Sequence, residues 1–233
     1  MKRFIWLLFF GVAVAAQPGL DTGEKLFREG KYAQAKVQFE SVLKTAPSNL
    51  RALEYLGDIN GLTKQWQPAL SYYNKLRSLR PQNATYHYKY GGVLGMIAKD
   101  SNKFRALSLI GDIRGSFEKA ITLDADHIEA RWALIELYLQ LPAIVGGSEL
   151  KANQYAEQLL RISPVDGHLA KGHIAEYFKR YVTAEKDYQK AIAVGHSKIT
   201  YEKLANLYNN KLNQPEKAKA LMANYNKKQL GTS

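Results

Sequence analysis

The sequence repeats small, aromatic and proline residues at a constant spacing of 34 positions. The matching residues are Gly23, Gly57 and Gly91; Tyr32 and Trp66; Ala35 and Ala69; Phe39 and Tyr73; Val42 and Leu76; Pro47 and Pro81. A constant period predicts an array of stacked units, because each unit buries its apolar face only against its neighbours. The chain is therefore expected to be a repeat protein rather than a single mixed core.

Each period has the pattern of two short helices. In the second half of the first period, apolar residues are spaced three and four apart, which places them on one helical face: Tyr32, Ala35, Phe39, Val42 and Leu43. Pro47 and Pro81 follow such runs, where a proline ends a helix. Gly57 and Ala69 are expected where the two helices of a repeat cross closely, because a larger side chain would push the axes apart.

The second repeat resembles the tetratricopeptide repeat (TPR) family in Leu53, Leu56-Gly57, Trp66, Ala69, Tyr73, Leu76 and Pro81. The resemblance implies an all-α, right-handed superhelical solenoid of antiparallel helix pairs, with about six repeats in residues 17–228. The expected repeats lie near 16–49, 50–83, 84–127, 128–164, 165–197 and 198–228, and residues 229–233 are expected to form a flexible tail.

The period breaks at two places. After Lys99 the pattern resumes ten residues late, at Phe117, which predicts a longer second helix or a short extra helix around 102–113. After Gln140 there is an insertion of five residues. The passage Leu141–Ser148, followed by Lys151-Ala152, resembles a group of exported bacterial TPR proteins, and this implies no particular activity.

The insertion after Gln140 contains Gly146-Gly147-Ser148, which has two interpretations. Its backbone amides could hold an anion before a helix. The favoured interpretation is a tight reversal followed by Ser148 as a helix cap.

The first residues have the pattern of a secretory signal peptide. Lys2 and Arg3 precede an apolar run of 13 residues, Phe4–Ala16, which ends in small residues. The expected cleavage site is before Gln17, with cleavage before Ala16 as the alternative, and a retained anchor is a third interpretation. The mature protein is then expected in the periplasm or outside the cell. Cysteine is absent, which excludes disulfides, thiolate metal sites and a cysteine nucleophile.

The chain is basic, with a formal net charge of +12. Removal of residues 1–16 takes away Lys2 and Arg3 and no acid, which leaves +10. Such a charge favours nucleic acid or an anionic membrane surface. For an exported protein no nucleic-acid partner is expected, while contact with a membrane surface stays open. No oligomeric state is predicted.

No catalytic motif for a serine hydrolase, a phosphate-binding loop or a zinc protease occurs in the sequence. His168 and His173 are five apart, about 140° around a helix, so they do not share a face. We therefore expect no enzyme, no cofactor and no metal site.

The resemblance implies that the first helices of successive repeats line a concave groove where a partner binds. The TPR register places there Glu54, Asp58, Tyr88, Glu129, Trp132, Glu136, His173, Glu176, Tyr177, Glu202 and Asn206, with Trp132 and Tyr88 as the expected anchors. The full set of groove positions, which also includes Leu20, Glu24 and Leu169, holds eight acids and two bases, which contrasts with the basic remainder. Position 5 of each repeat carries no lysine, so a clamp for a C-terminal carboxylate is not expected.

These observations favour an exported protein-interaction scaffold that binds a protein or peptide, basic or amphipathic in character. In the alternative interpretation the groove acids only keep the surface soluble and pair with neighbouring lysines. A different class of function is a peripheral envelope or membrane-surface binder that uses a basic convex face. An enzyme is the least favoured class.

Overall fold

The computed structural model describes residues 18–230, and within them the protein is all-α, as predicted. The described residues contain a short 3-10 helix at Ala143–Val145 and twelve α-helices. The α-helices are α1 (Pro18–Arg28), α2 (Tyr32–Thr45), α3 (Leu50–Leu62), α4 (Trp66–Leu79), α5 (Ala84–Lys99), α6 (Lys103–Leu123), α7 (Ile128–Gln140), α8 (Glu149–Ile162), α9 (Pro164–Tyr177), α10 (Tyr181–Gly195), α11 (Lys198–Asn210) and α12 (Pro215–Leu230). None of these helices is long and apolar enough to cross a bilayer.

The two ends of the chain differ in how much of each the structure describes. The predicted signal peptide and its cleavage site lie outside the described residues. At the other end, α12 continues to Leu230, two residues past the predicted end of the last repeat at 228.

The described chain forms two compact bodies, residues 18–76 and residues 77–230, and the boundary falls inside α4. In each body, helices that follow one another in sequence pack together, as in α1 with α2 and α9 with α10. In the second body the odd-numbered helices also contact one another, α5 with α7, α7 with α9 and α9 with α11. The first helices of successive repeats are therefore neighbours, which is the arrangement that the TPR register requires.

Glycines allow the two helices of a repeat to approach closely, as expected for Gly57. A Cβ added to Gly57 would lie 2.8 Å from the ring of Tyr73, and one added to Gly172 would lie 2.5 Å from the ring of Tyr188. Both tyrosines are buried. An alanine at either glycine would therefore drive the helices apart or displace the ring.

Seven of the ten inserted residues lengthen α6 and no separate helix is added, so the first of the two predicted alternatives is confirmed. The α6 helix has 21 residues, whereas α8 has 14. It begins after Asn102, whose side chain accepts a hydrogen bond from the backbone N–H of Arg105. This cap satisfies a helix-end N–H group and fixes where the longer helix starts.

The insertion after Gln140 forms the tight reversal that its glycines indicate. Gly146 has φ of +103°, a left-handed conformation that favours glycine. Gly147 lies so close to the Leu141 carbonyl that a side chain would collide with it. Ser148 Oγ then accepts a hydrogen bond of 3.2 Å from the backbone N–H of Lys151, so the predicted helix cap is confirmed.

Candidate functional site

The predicted groove residues of the second body lie on neighbouring first helices. Trp132 and Glu136 come from α7, His173 and Glu176 from α9, and Glu202 from α11. We call the exposed side of α7, α9 and α11 that carries these residues the first-helix surface. Glu54 and Asp58 lie on α3 in the first body.

Trp132 joins α7 to α9. Its indole N–H donates a hydrogen bond of 3.0 Å to Asp166 Oδ1, one repeat further along the chain. The ring is half-buried and packs against the apolar core that contains Leu169 and Tyr188. The indole centroid lies 6.2 Å from that of His173. Trp132 therefore already uses its only donor, and a partner would meet a firmly held aromatic edge rather than a free indole.

Glu136 and His173 form the second link between α7 and α9. His173 Nε2 lies 2.6 Å from Glu136 Oε1. Close contact with His173 lowers the pKa of Glu136 against the opposing effect of burial, and Lys203 of α11 lowers it further. One carboxylate thus interacts with three successive repeats, and it remains ionised and half-exposed at their junction.

Two other acids accept hydrogen bonds from buried phenols. Tyr188 donates a hydrogen bond of 2.8 Å to Glu176 Oε2, and Tyr73 donates one to Asp58. Burial, reinforced by the nearby carboxylate, raises the pKa of both tyrosines far above its ordinary value. The phenols therefore stay protonated and neutral, so they orient Glu176 and Asp58 without cancelling their negative charge.

The remaining acids have other surroundings. Glu129 lies 3.1 Å from His127 Nδ1, and Glu202 pairs with Lys198 at 3.3 Å. Glu54 is half-buried on α3 and helps to raise the pKa of Tyr73. Pairing with a lysine, the alternative interpretation of the groove acids, thus describes Glu202, whereas Glu176 accepts a hydrogen bond from Tyr188.

The other predicted residues differ in how accessible they are. Tyr88 is half-buried between the rings of Phe117 and His127, with centroids 5.9 and 5.1 Å away, which makes it a packing residue. Tyr177 is 44% exposed and lies edge-on against Phe178. Asn206 is exposed on α11. Of the predicted aromatic residues, Tyr177 offers a partner the most surface.

The TPR register also assigned to the groove some positions that the structure buries. Leu20 and Leu169 are only 5% and 7% exposed and belong to the apolar cores of their bodies. Glu24 is almost buried and forms an ion pair with Arg51. These positions lie where one repeat packs on the next, so their side chains serve packing. Conversely, the register did not include Lys203, which follows Glu202 in sequence and helps to lower the pKa of Glu136.

Within residues 18–230, no three His, Asp or Glu side chains come together as metal ligands would. What the surface does offer is fixed carboxylates, a half-buried indole edge and an exposed tyrosine on adjoining helices. Such groups suit recognition of a polypeptide.

Comparison with known structures shows the fold. A TPR protein from Parabacteroides merdae ATCC 43184 matches with a TM-score of 0.63 and 18% identity, over 89% of this chain and 77% of that one. A thermophilic TPR protein from Thermus thermophilus matches with a TM-score of 0.61 and 17% identity, over 89% of this chain and 98% of that one. YrrB, a TPR protein with an unusual peptide-binding site, matches with a TM-score of 0.54 and 16% identity, over 78% of this chain and 88% of that one.

These likenesses place the chain among all-α solenoids of the TPR type, and at such identities they show the fold alone. No protein-family model matches the sequence. No curated protein is similar to it in sequence either.

Proposed function

We propose that the protein is an exported, non-catalytic scaffold whose first-helix surface binds a basic or amphipathic segment of a partner protein. The TPR fold supports a protein-interaction role, and a related fold in YrrB carries a peptide-binding site. Export is supported by Lys2, Arg3 and the apolar run that follows them.

The single observation that carries the proposal is the neutral phenol beneath Glu176. A carboxylate that only kept the surface soluble would need no buried donor to fix it. Tyr188 holds Glu176 in one place without cancelling its charge, and Glu136 lies on the adjoining helix with its pKa lowered. Fixed negative charges speed association with a basic segment and exclude acidic ones.

The test uses two synthetic amphipathic peptides of equal hydrophobicity, one rich in lysine and one rich in glutamate. We expect the basic peptide alone to bind, with an affinity that falls as salt is added. The double variant Glu136→Gln/Glu176→Gln should bind it about tenfold more weakly, because two attractive charges are lost.

A matched double variant controls for the overall change in charge. Glu118→Gln/Glu216→Gln removes two exposed acids from second helices, α6 and α12, and should leave the affinity unchanged. Equal losses in the two double variants, or equal binding of both peptides, would show that the first-helix surface has no selective role. The export component is checked separately, by mass spectrometry of the N-terminus of the protein from its native envelope fraction.

A further inference from the structure

The loops of the second body fall into two groups at opposite ends of its helices. Because consecutive helices run antiparallel, the loops that join the first helix of a repeat to its second helix lie at one end. An ion pair between Arg180 and Glu149 confirms that the α7–α8 and α9–α10 loops adjoin each other. We call the part of this end formed by the α5–α6, α7–α8 and α9–α10 loops the hairpin edge, and define it as residues 99–108, 141–151 and 177–182. The opposite edge is the part formed by the α6–α7, α8–α9 and α10–α11 loops, residues 123–128, 161–166 and 194–199.

The hairpin edge carries most of the large apolar side chains that the second body exposes. Ile144 is 95% exposed and Phe104 87% exposed, each at the tip of an inserted segment. The other members are Leu107, Leu150, Tyr177, Phe178 and Val182. At the opposite edge only Val194 and Ile199 are exposed among the large apolar residues described there. Exposed apolar side chains gathered at one edge in this way indicate an interaction site.

The two edges also differ in charge. The hairpin edge has six bases and two acids, and one of those acids, Glu149, is paired with Arg180. The bases are Lys99, Lys103, Arg105, Lys151, Lys179 and Arg180. The opposite edge has two bases, Arg161 and Lys198, against the three acids Asp124, Asp126 and Asp166. Exposed apolar side chains and excess positive charge therefore coincide at one edge only.

The insertion in the third repeat carries its apolar residue outward. The α6 helix is seven residues longer than α8, and the register shows that the extra length is at its N-terminal end. At 1.5 Å per residue, this extends the α5–α6 hairpin by about 10 Å. Phe104 lies in the first turn of that extension, beside Lys103 and Arg105. A projecting apolar residue between two bases can enter a surface whose outer layer is anionic.

We propose that the hairpin edge of the second body docks on an anionic lipid bilayer, with Phe104 and Ile144 entering the boundary between headgroups and acyl chains. The lysines that lie among these apolar side chains favour a bilayer over a protein as the binding partner. Lysine is depleted at the centres of protein interfaces, whereas lysines beside apolar side chains are typical of surfaces that bind anionic lipid. This surface is separate from the first-helix surface, and either can fail without the other.

The absence of native cysteine allows a position-specific test. Single variants Phe104→Cys, Ile144→Cys and Ile199→Cys of the full chain are labelled with an environment-sensitive fluorophore. Vesicles of phosphatidylcholine with about one-third phosphatidylglycerol should shift the emission of labels at 104 and 144 to the blue, and brominated lipid should quench them. The label at 199 should stay in water, and vesicles of phosphatidylcholine alone should give a much weaker response.

A label reports its own position, so binding through residues 1–16 cannot imitate this pattern. If neither label at the hairpin edge changed its emission with vesicles, or if the labels at all three positions changed equally, the proposal would be overturned. A blue shift at 104 and 144 that grows with protein concentration in the absence of vesicles would show that the edge is covered by a second copy of the chain, which also refutes a lipid role.

Matched apolar deletions give a second measure. With the fluorophore attached at position 151 through Lys151→Cys, Phe104→Ser/Ile144→Ser should weaken the binding of the same vesicles by about tenfold or more. Val194→Ser/Ile199→Ser removes two exposed apolar side chains from the opposite edge and should have no effect. All four residues are exposed, so circular dichroism should show unchanged helicity. Equal effects of the two double variants would contradict the assignment.

Discussion

The α7–α8 and α9–α10 pairs of the second body differ in which helix carries the large residue and which carries the small one at corresponding positions. In α9–α10 the first helix supplies Gly172 and the second helix supplies the ring of Tyr188 against it. At the corresponding positions of α7–α8 the large residue is Ile135, on the first helix, and the small one is Ala156, on the second. All four residues are buried. The spacing between paired helices thus depends on one large and one small partner, and either helix can provide the large one.

The difference determines how the first-helix surface holds its acids. A tyrosine on the second helix reaches past the glycine, and its hydroxyl donates to Glu176 within the same repeat. The α3–α4 pair repeats this arrangement with Gly57, Tyr73 and Asp58. In α7–α8 the alanine carries no such donor, and Glu136 instead interacts with His173 of the next repeat.

The largest effect is expected when the α7–α8 pair is converted to the other arrangement. Ile135→Gly should lower the free energy of unfolding by about 4 kcal/mol, because it opens a cavity and places glycine in a helix. Ala156→Tyr alone should also destabilise, by about 1–3 kcal/mol, through overpacking. The double variant should recover at least about 1 kcal/mol relative to the summed single effects, since the ring can occupy the space over the glycine.

Urea unfolding followed by circular dichroism measures this double-mutant cycle. Val182→Ala, which alters an exposed residue of α10, serves as a control and should change the free energy of unfolding by less than about 0.5 kcal/mol. Strict additivity of Ile135→Gly and Ala156→Tyr would show that the two positions do not share one packing site.

A smaller effect is expected when only the hydroxyl is removed. Tyr188→Phe keeps the ring over Gly172 and deletes the hydrogen bond to Glu176, which should lower the free energy of unfolding by about 1–2 kcal/mol. Tyr73→Phe should lose a similar amount, because Asp58 has the same arrangement in the first body. Differential scanning calorimetry would record both changes. If both variants were as stable as the parent chain, the phenols would not hold these carboxylates in solution.

Much of the fold follows from the 34-residue period, because each repeat uses the same spacing of small and large residues. Gly57, Ser148 and the lengthened α6 were predictable from local sequence, since each depends on neighbours close in the chain or one period away. The accessibility of the site was harder to predict. Leu20 and Leu169 share a register position with Trp132, yet the first two are buried in cores. Register gives the helix face, but the neighbouring repeat decides whether a side chain on that face is covered.

Side-chain partners across repeats show the same limit. Trp132 and Asp166 occupy different register positions in successive repeats, so the hydrogen bond between them does not follow from the period. Glu136 and His173 occupy the same register position in successive repeats, and they are 37 residues apart because residues are inserted after Gln140. The register places both side chains on one surface, but only the structure shows that they meet.

The smallest expected effect is the pH dependence of the stability that Glu136 contributes. This dependence distinguishes an acid that contacts a histidine from an acid that accepts a hydrogen bond from a tyrosine. Close contact with His173 lowers the folded-state pKa of Glu136 below its ordinary value near 4.5, so the stabilisation is complete above that value and is lost as the pH falls through the lowered pKa. The difference in free energy of unfolding between Glu136→Gln and the parent chain should therefore shrink as the pH falls from about 5 towards about 3. The change is modest, because Glu136 is half-exposed and screened by solvent. Urea unfolding at several pH values measures it, with Glu118→Gln on the outer side of α6 as a control that should show a smaller pH-dependent difference. A difference that widened as the pH fell would mean that Glu136 is not stabilised in its ionised form and that the bond across the repeats contributes nothing in solution.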